Sequence, residues 1–500
     1  MVGIVLAAVG VLIVALGLYD LIQRRHSILR NFPVIGHFRF LIEKIGPELR
    51  QYIVADNDEE RPFSRDQRRW VYATAKKENS YFGFGTDDDL DKSGRIIFRN
   101  APFPLNRKSS DEASVPCGKI LGGWRNRRQS FRPASVINIS AMSFGSLSGA
   151  AIAALNRGAK LSNCLHNTGE GGISEHHMHG GDLVYQIGTG YFGSRDLDGN
   201  FSIDALMETI ANAPVRAIEI KLSQGAKPGI GGLLPAAKVT KEIAKARGVQ
   251  VNKDVASPSA HKVFSDVEGL VEFIELIAEK TGLPVGIKSA VGSEKFWDDL
   301  ASYMAETERG PDFVTIDGSE GGTGAAPLVF SDHVSLPFWY AFPLVLNAFA
   351  KVGLSDHIVF IGSGKLGLPA EAAEALALGV DIVNVGREAM LAIGCVQAQK
   401  CHTGHCPTGV ATQSRWLERG LDPQDKGVRL ANYVAGLRYE ILRLSYACGV
   451  EHPALLSEEK LAVTGDGRAL VSAHSWYGVA PEITQSKQRL AGIASALKEL

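Results

Sequence analysis

Three cysteines crowd into the stretch GCVQAQKCHTGHCPTGVATQ with the spacing Cys395-x5-Cys401-x4-Cys406. Thiolates ligate soft metals, and clustered cysteines in a loop with Gly and Pro can fold back over an iron–sulfur cluster. A zinc site with His402 or His405 as fourth ligand is the rival, although the paired C-x2-4-C spacing usual for zinc is absent. On spacing alone, iron–sulfur, zinc and plain structural cysteines all stay open. The odd count in the cluster and a 500-residue chain that needs no staples argue against a disulfide framework. Cys117, Cys164 and Cys448 are scattered and read as small buried hydrophobes.

The other residues with chemistry sit in glycine-rich blocks: SAMSFGSLS (140–148), HNTGEGG (166–172), KLSQGAKPGIGG (221–232), DGSEGGTGAAP (317–327), GSGKLG (362–367) and NVGREAM (384–390). Each follows a short apolar run: VINIS, LVYQIG, AIEIKLS, VGIKS, FVTID, IVFIGSG and DIVNVG, with one more strand expected near 161–168. Between the runs lie stretches such as LMETIANA and EGLVEFIELIAEKTG, whose apolar spacing is near that of a helix. Strands alternating with helices imply parallel βα units, and eight of them over this length suit a (β/α)8 TIM barrel in the α/β class. No G-x-G-x-x-G opens a helix after the first strand, which argues against a Rossmann dinucleotide site.

In such a barrel the carboxyl ends of the strands carry the active site, and glycine turns after the last two strands are the expected phosphate cradle, with Lys365 or Arg387 adding charge. A flavin mononucleotide would fit there, beside a cysteine cluster able to exchange electrons. Lys288, inside the apolar VGIKS strand, could stabilise a reduced flavin ring. Lys227 and Arg247 could meet substrate carboxylates or could be exposed helix charges; spacing does not choose between these.

The amino terminus departs from a soluble pattern. Val2 to Tyr19 carries no charge and would make a helix of about 27 Å, close to the hydrocarbon thickness of a bilayer. Arg24, Arg25 and Arg30 follow it, which places the rest of the chain in the cytoplasm as a single-pass protein of the cell membrane. The expected organisation is a transmembrane helix (1–22), a juxtamembrane extension (23–119), the barrel with its cysteine loop (120–440) and a helical carboxyl-terminal extension (441–500). Net charge is −1, so no global field attracts nucleic acid. The basic stretch GGWRNRRQSFR (122–132) lacks a recognition motif and is expected to pack on acidic neighbours or face anionic lipid. DDDLDKSG (87–94) lacks the downstream Glu of a calcium loop and reads as a solvated acidic turn.

NTGEGG, IKLSQGAKPGIGG, DGSEGGTGAAP and CHTGHCPTGVATQ together resemble the synthase domain of glutamate synthase, over about residues 120 to 420. That resemblance implies a (β/α)8 barrel binding FMN and a 3Fe-4S cluster, which reduces the imine of 2-oxoglutarate and ammonia to glutamate. It implies Cys395, Cys401 and Cys406 as cluster ligands. Glu170, Gln224, Lys227 and Arg247 would handle the oxo acid, with Lys221, Glu170 and Lys227 at the reacting centre. Lys288, Met142, Ser143, Gly321, Gly322, Gly324, Gly362, Gly364, Gly386 and Arg387 would hold FMN. An electron donor protein, ferredoxin or reductase, and free ammonia or a separate glutaminase complete the expected partners. Where the family reads GAKPGEGGQLPG, this chain reads GAKPGIGGLLPA, so Ile230 and Leu233 replace a Glu and a Gln near the substrate loop. Lost hydrogen-bond partners alter discrimination, so another oxo acid or an amino acid is the alternative substrate. A barrel that turns nothing over, tethered to the membrane as a scaffold, is the alternative from a different class. The chain is expected to be the synthase barrel alone, without the glutamine-cleaving or flavin-reductase domains.

Overall fold

The computed structural model describes residues 2–52, 58–81, 83, 85–106, 115–234, 236, 239–456, 460–480 and 487–499. Its centre is a closed barrel of eight parallel strands. They are β1 (Ile137–Ile139), β2 (His166–Asn167), β3 (Leu183–Ile187), β4 (Val215–Lys221), β5 (Val285–Ser289), β6 (Phe313–Asp317), β7 (Val359–Ser363) and β8 (Ile382–Val385). Every expected strand is present, including the one anticipated near 161–168. Strands buried on both faces read as continuous apolar runs, which is why these segments stood out. The β2 strand has only two residues, too few for any period to register.

Polar residues also enter the barrel. Glu219 on β4 is buried and accepts hydrogen bonds from Asn167 Nδ2 (2.8 Å), Gln186 Nε2 (2.6 Å) and Thr315 Oγ1 (2.6 Å). These donors satisfy a carboxylate that burial would otherwise penalise heavily. The other end of the interior is closed by Leu121, which bridges to Phe131. The basic stretch around it is spent on acids: Arg127 meets Glu275 at 2.9 Å and Asp312 at 3.1 Å, and Arg125 meets Glu275 at 3.0 Å.

The helix Pro423–Ala447 packs closely on Gly149–Ser162. A Cβ added to Gly158 would lie 2.6 Å from Leu430 Cδ2, so only glycine permits that approach. The chain end is helical, as expected, finishing in Lys487–Lys498. Ahead of it lie strands Leu461–Thr464 and Leu470–Ser472, which join Ile96–Phe98 in an antiparallel sheet. Such short strands leave no periodic signature, so the sequence did not announce them. Val2–Ile22 is the one helix among the described residues long and apolar enough to cross a membrane, and it is almost wholly exposed.

Candidate active site

The carboxyl ends of β2 and β4 bring the first group of charges together. After Asn167 the chain turns through Gly169 at φ +66, where an added Cβ would lie 2.6 Å from the Ser143 nitrogen. The GEGG turn thus closes on the SAMSFGS turn and aims Glu170 across the barrel mouth. Lys221 ends β4, and its Nζ lies 3.0 Å from Glu170 Oε1 and donates to Gln224 Oε1 at 2.7 Å. Burial alone would raise the Glu170 pKa, but Lys221, Lys227 and Arg247 outweigh it and hold the carboxyl below its ordinary value. Lys227 is pushed down, by burial first and by Lys221, with Glu170 opposing. Glu170, Lys221, Gln224 and Lys227, with Ile230 and Ser259, line one pocket. The Leu233 side chain lies outside the described residues.

Arg247 ends the helix Lys241–Arg247, which starts on a Thr240 cap and stops at Gly248 in the left-handed region. It is 6% exposed, lies 5.1 Å from the Phe192 ring and donates to the Phe144 carbonyl at 3.2 Å. Among the described residues its Nε has no acceptor. Arg247 is therefore a buried cation beside Glu170, with donor capacity in reserve, and burial lowers its pKa.

Deeper in, β4 and β5 pair Lys221 with Lys288 in register. Lys288 is buried, and its Nζ faces Asp317 Oδ2 at 3.5 Å. Asp317 also accepts from the Gly225 nitrogen at 3.0 Å, which ties the loop after β4 to the end of β6. That tie needs glycine: a Cβ on Gly225 would lie 1.9 Å from the Gly318 carbonyl oxygen. Asp317 opens the DGSEGG block, and a buried lysine on the neighbouring strand was the signal that should have marked it.

The turns after β7 and β8 hold the second group of cations. Lys365 Nζ and Arg387 Cζ lie 5.3 and 5.1 Å from the centre of the Phe63 ring, and the Phe63 backbone bonds Gln397 of the cysteine loop. Arg387 also donates to the Glu320 carbonyl. Burial lowers the pKa of both cations. A side chain at Gly322 would strike Arg387 Cδ at 2.6 Å, so Arg387 packs directly on that glycine, and Gly364 has φ +141, a backbone conformation that favours glycine. Gly362 is packed against Leu366 and Phe338, and Gly321 lies near Gly318. Gly386 precedes the helix Arg387–Ala392, beside Ser140. Gly324 is exposed, with nothing near an added Cβ. Met142 is half-buried and Ser143 Oγ pairs with Ser146 Oγ at 3.3 Å.

Cys395, Cys401 and Cys406 are free thiols on the loop after that helix. Burial pushes Cys395 up to about 12, with Cys406 and Cys401 adding to it; burial and then Cys406 raise Cys401. The three sulfurs thus lie within electrostatic reach of one another. His402 and His405 are exposed, and among the described residues no three His, Cys, Asp or Glu side chains gather around a single-ion site. Tyr72 donates to the Cys395 carbonyl at 2.8 Å, and the Gln397 side chain bonds both the Phe63 nitrogen and carbonyl at 3.1 Å. Asn31 donates to the Pro407 carbonyl at 3.0 Å. Phe63, Tyr72 and Asn31 were not anticipated: Phe63 precedes the helix Arg65–Lys76, Tyr72 lies within it and Asn31 ends the helix Ser27–Asn31, and no motif marks these segments.

The family model described as the conserved region in glutamate synthase matches residues 123–451. A glutamate synthase large subunit-like protein of Bacillus subtilis is 38% identical over 487 residues, covering 90% of this chain and 92% of the relative. One of the same description from Rhizobium meliloti is 33% identical, covering 78% and 88%. An archaeal-type glutamate synthase [NADPH] of Thermotoga neapolitana is 36% identical; the match takes in 66% of this chain and 62% of that protein. Among solved structures, a mandelate oxidase with benzoyl-formic acid overlays at TM-score 0.43 and 14% identity, covering 74% and 86%, too loose a likeness to carry an argument.

Proposed function

The chain belongs to the glutamate synthase family, and we propose that it is an FMN- and iron–sulfur-dependent synthase barrel that reductively aminates 2-oxoglutarate with ammonia. The observation that carries this reading is the convergence of Glu170, Lys221, Gln224, Lys227 and Arg247 at the barrel mouth, beside Lys288 and Asp317. Three cations facing one carboxylate leave a positive excess suited to a dicarboxylic oxo acid. Lys227 and Arg247 would clamp its carboxylates through charge-assisted bonds. Glu170, held ionised by Lys221, could accept a proton from an amine or relay one to the reacting carbon.

The cations Lys365 and Arg387 on the turns after β7 and β8 suit a phosphate, and the three free thiols of the cysteine loop fit a three-iron cluster. Met142, Ser143, Gly321, Gly322, Gly324, Gly362, Gly364, Gly386, Arg387 and Lys288 would hold the flavin, and Cys395, Cys401 and Cys406 the cluster. Bound there, the two groups supply hydride transfer and one-electron exchange with a donor protein. Residues 1–22 would anchor the chain, 23–119 link it to the barrel of 120–440, and 441–500 brace that barrel, with the catalytic part on the cytoplasmic side. Ile230 on the pocket wall favours a second reading, in which the same machinery takes a different oxo acid or amino acid.

Anaerobic purification in detergent, with absorbance and EPR spectra before and after dithionite, tests the cofactors. Flavin bands and a three-iron signal are expected; a colourless or zinc-bearing protein would point to the scaffold instead. Glutamate formation from 2-oxoglutarate, ammonia and reduced protein tests the reaction, and a screen of other oxo acids tests the second reading.

A further inference from the structure

We propose that the helix Gly36–Tyr52 is a membrane-interface helix, lying in the headgroup region of the bilayer that the first helix crosses. The inference rests on the membrane-anchor reading above and adds a second, independently placed lipid contact. Ile35, Phe38, Leu41, Ile42 and Ile45 are 46–79% exposed, an unusual surface for five large apolar side chains in one short segment. Within the helix, Phe38, Leu41, Ile42 and Ile45 fall on one stripe about 100° wide, the width of an amphipathic face, and Ile35 precedes them in the turn. The other sides of the helix are accounted for. Phe40 packs edge-on against His26 at 5.5 Å, His37 turns to Asp20, and Arg39 pairs with Glu43 at 2.6 Å.

The start of this helix is fixed at a definite depth along the first one. Asp20 is fully buried, accepts from the Val34 nitrogen at 2.8 Å and bonds His37 Nε2 at 2.9 Å. Val34 rests on Gly17, where an added Cβ would lie 3.5 Å from Val34 Cγ2. Gly17 is five residues, about 7.5 Å of helix rise, inside the end of the span at Ile22. Interfacial helices bury their apolar faces to about 5–10 Å at the headgroup boundary, so the stripe begins at the required level. The exposed Arg24 and Arg25 sit at the same end, where anionic headgroups would meet them. Continuity with the spanning helix is what selects lipid over a second copy of the chain.

The test is photo-crosslinking of the full chain in vesicles of equal parts phosphatidylcholine and phosphatidylglycerol. Benzoylphenylalanine replaces Phe38, Val9 or Leu197 in separate samples. Lipid adducts are expected at Phe38 and Val9 and not at the exposed barrel residue Leu197. Lipid adducts at Val9, with only protein adducts or none above the Leu197 level at Phe38, would overturn the interface helix while leaving the anchor intact. Absence of lipid adducts at both positions would sink the anchor and the inference together. In a second measurement the probe replaces Ile45 in the double variant Phe38→Asp, Leu41→Asp. Loss of most of the lipid adduct at Ile45, with the Val9 adduct unchanged, is expected; an undiminished Ile45 adduct would count against the stripe.

Discussion

The barrel mouth and the cysteine face are built from different parts of the chain. At the mouth, Glu170, Lys221, Gln224, Lys288 and Asp317 all come from barrel strands and the loops that follow them, and they pair with one another. At the cysteine face, the loop of Cys395 to Cys406 and the cations Lys365 and Arg387 lean on Phe63, Tyr72 and Asn31, more than three hundred residues away in sequence. The mouth is therefore preorganised by the barrel itself. The cysteine side is completed by the segment that follows the amino-terminal helix, so under the proposed function that segment would serve the redox half as well as the tether.

The largest expected effect comes from Phe63→Ala. Phe63 is 1% exposed, and truncating a buried Phe costs about 3–5 kcal/mol. Its ring also packs on Lys365 and Arg387 while its backbone bonds Gln397, so the variant should melt lower and be purified with less flavin and iron per chain. Full cofactor occupancy at a lowered melting temperature would break the comparison, since the extension would then support the fold only.

Next is the pH response of the junction. Lys426 is 1% exposed and donates to the Arg25 carbonyl at 3.0 Å and to Asp425 at 3.1 Å. Burial, then Arg429, depresses its pKa from 10.5 to about 8. Below about 8 both the folded and unfolded chains keep the proton, and the cost of the buried charge is felt in full. Between about 8 and 10.5 the unfolded chain holds a proton that the folded chain has released, so stability rises with pH and levels off above that window. Relative to Lys426→Met, the wild type should gain up to about 3 kcal/mol across the window, read from denaturant melts. A difference that stays flat, or falls, would show that the junction does not bury this charge.

Lys227→Ala probes the other region. Losing a charge-assisted bond of about 1.5–3 kcal/mol should raise the apparent KM for the oxo acid by about ten- to a hundredfold, with flavin absorbance retained. Bleached protein with an unchanged KM would move Lys227 from the mouth to the cofactor side.

The same contrast explains what the sequence disclosed. Seven of the eight strands were legible as apolar runs, and Lys221 and Lys288 could be placed at strand ends from those runs; the eighth, His166–Asn167, was expected only because a barrel needs it. Glu219 was not, since a carboxylate inside an apolar run has meaning only once Asn167, Gln186 and Thr315 converge on it from other strands. Nor were Phe63 and Tyr72: they sit in EERPFSRDQRRW and the helix after it, and their roles arise from contacts across the whole chain. Residues that act through their immediate neighbours leave local patterns. Residues that act at long range leave none.

The smallest predicted effect is also the finest test of the brace. Burial, with Cys395 adding, pushes the Tyr72 hydroxyl pKa far up, so it stays a donor to the Cys395 carbonyl at any working pH. Tyr72→Phe keeps the ring and removes that bond, which costs about 0.5–1.5 kcal/mol. The loss should appear as faster release of iron on dilution into chelator, with KM for the oxo acid unchanged, because the bond holds the backbone of a proposed cluster ligand and touches nothing at the mouth. An altered KM with unaltered iron release would mean that the two regions are coupled through the barrel. In that case the extension would steady the whole mouth, and the division between them would fail.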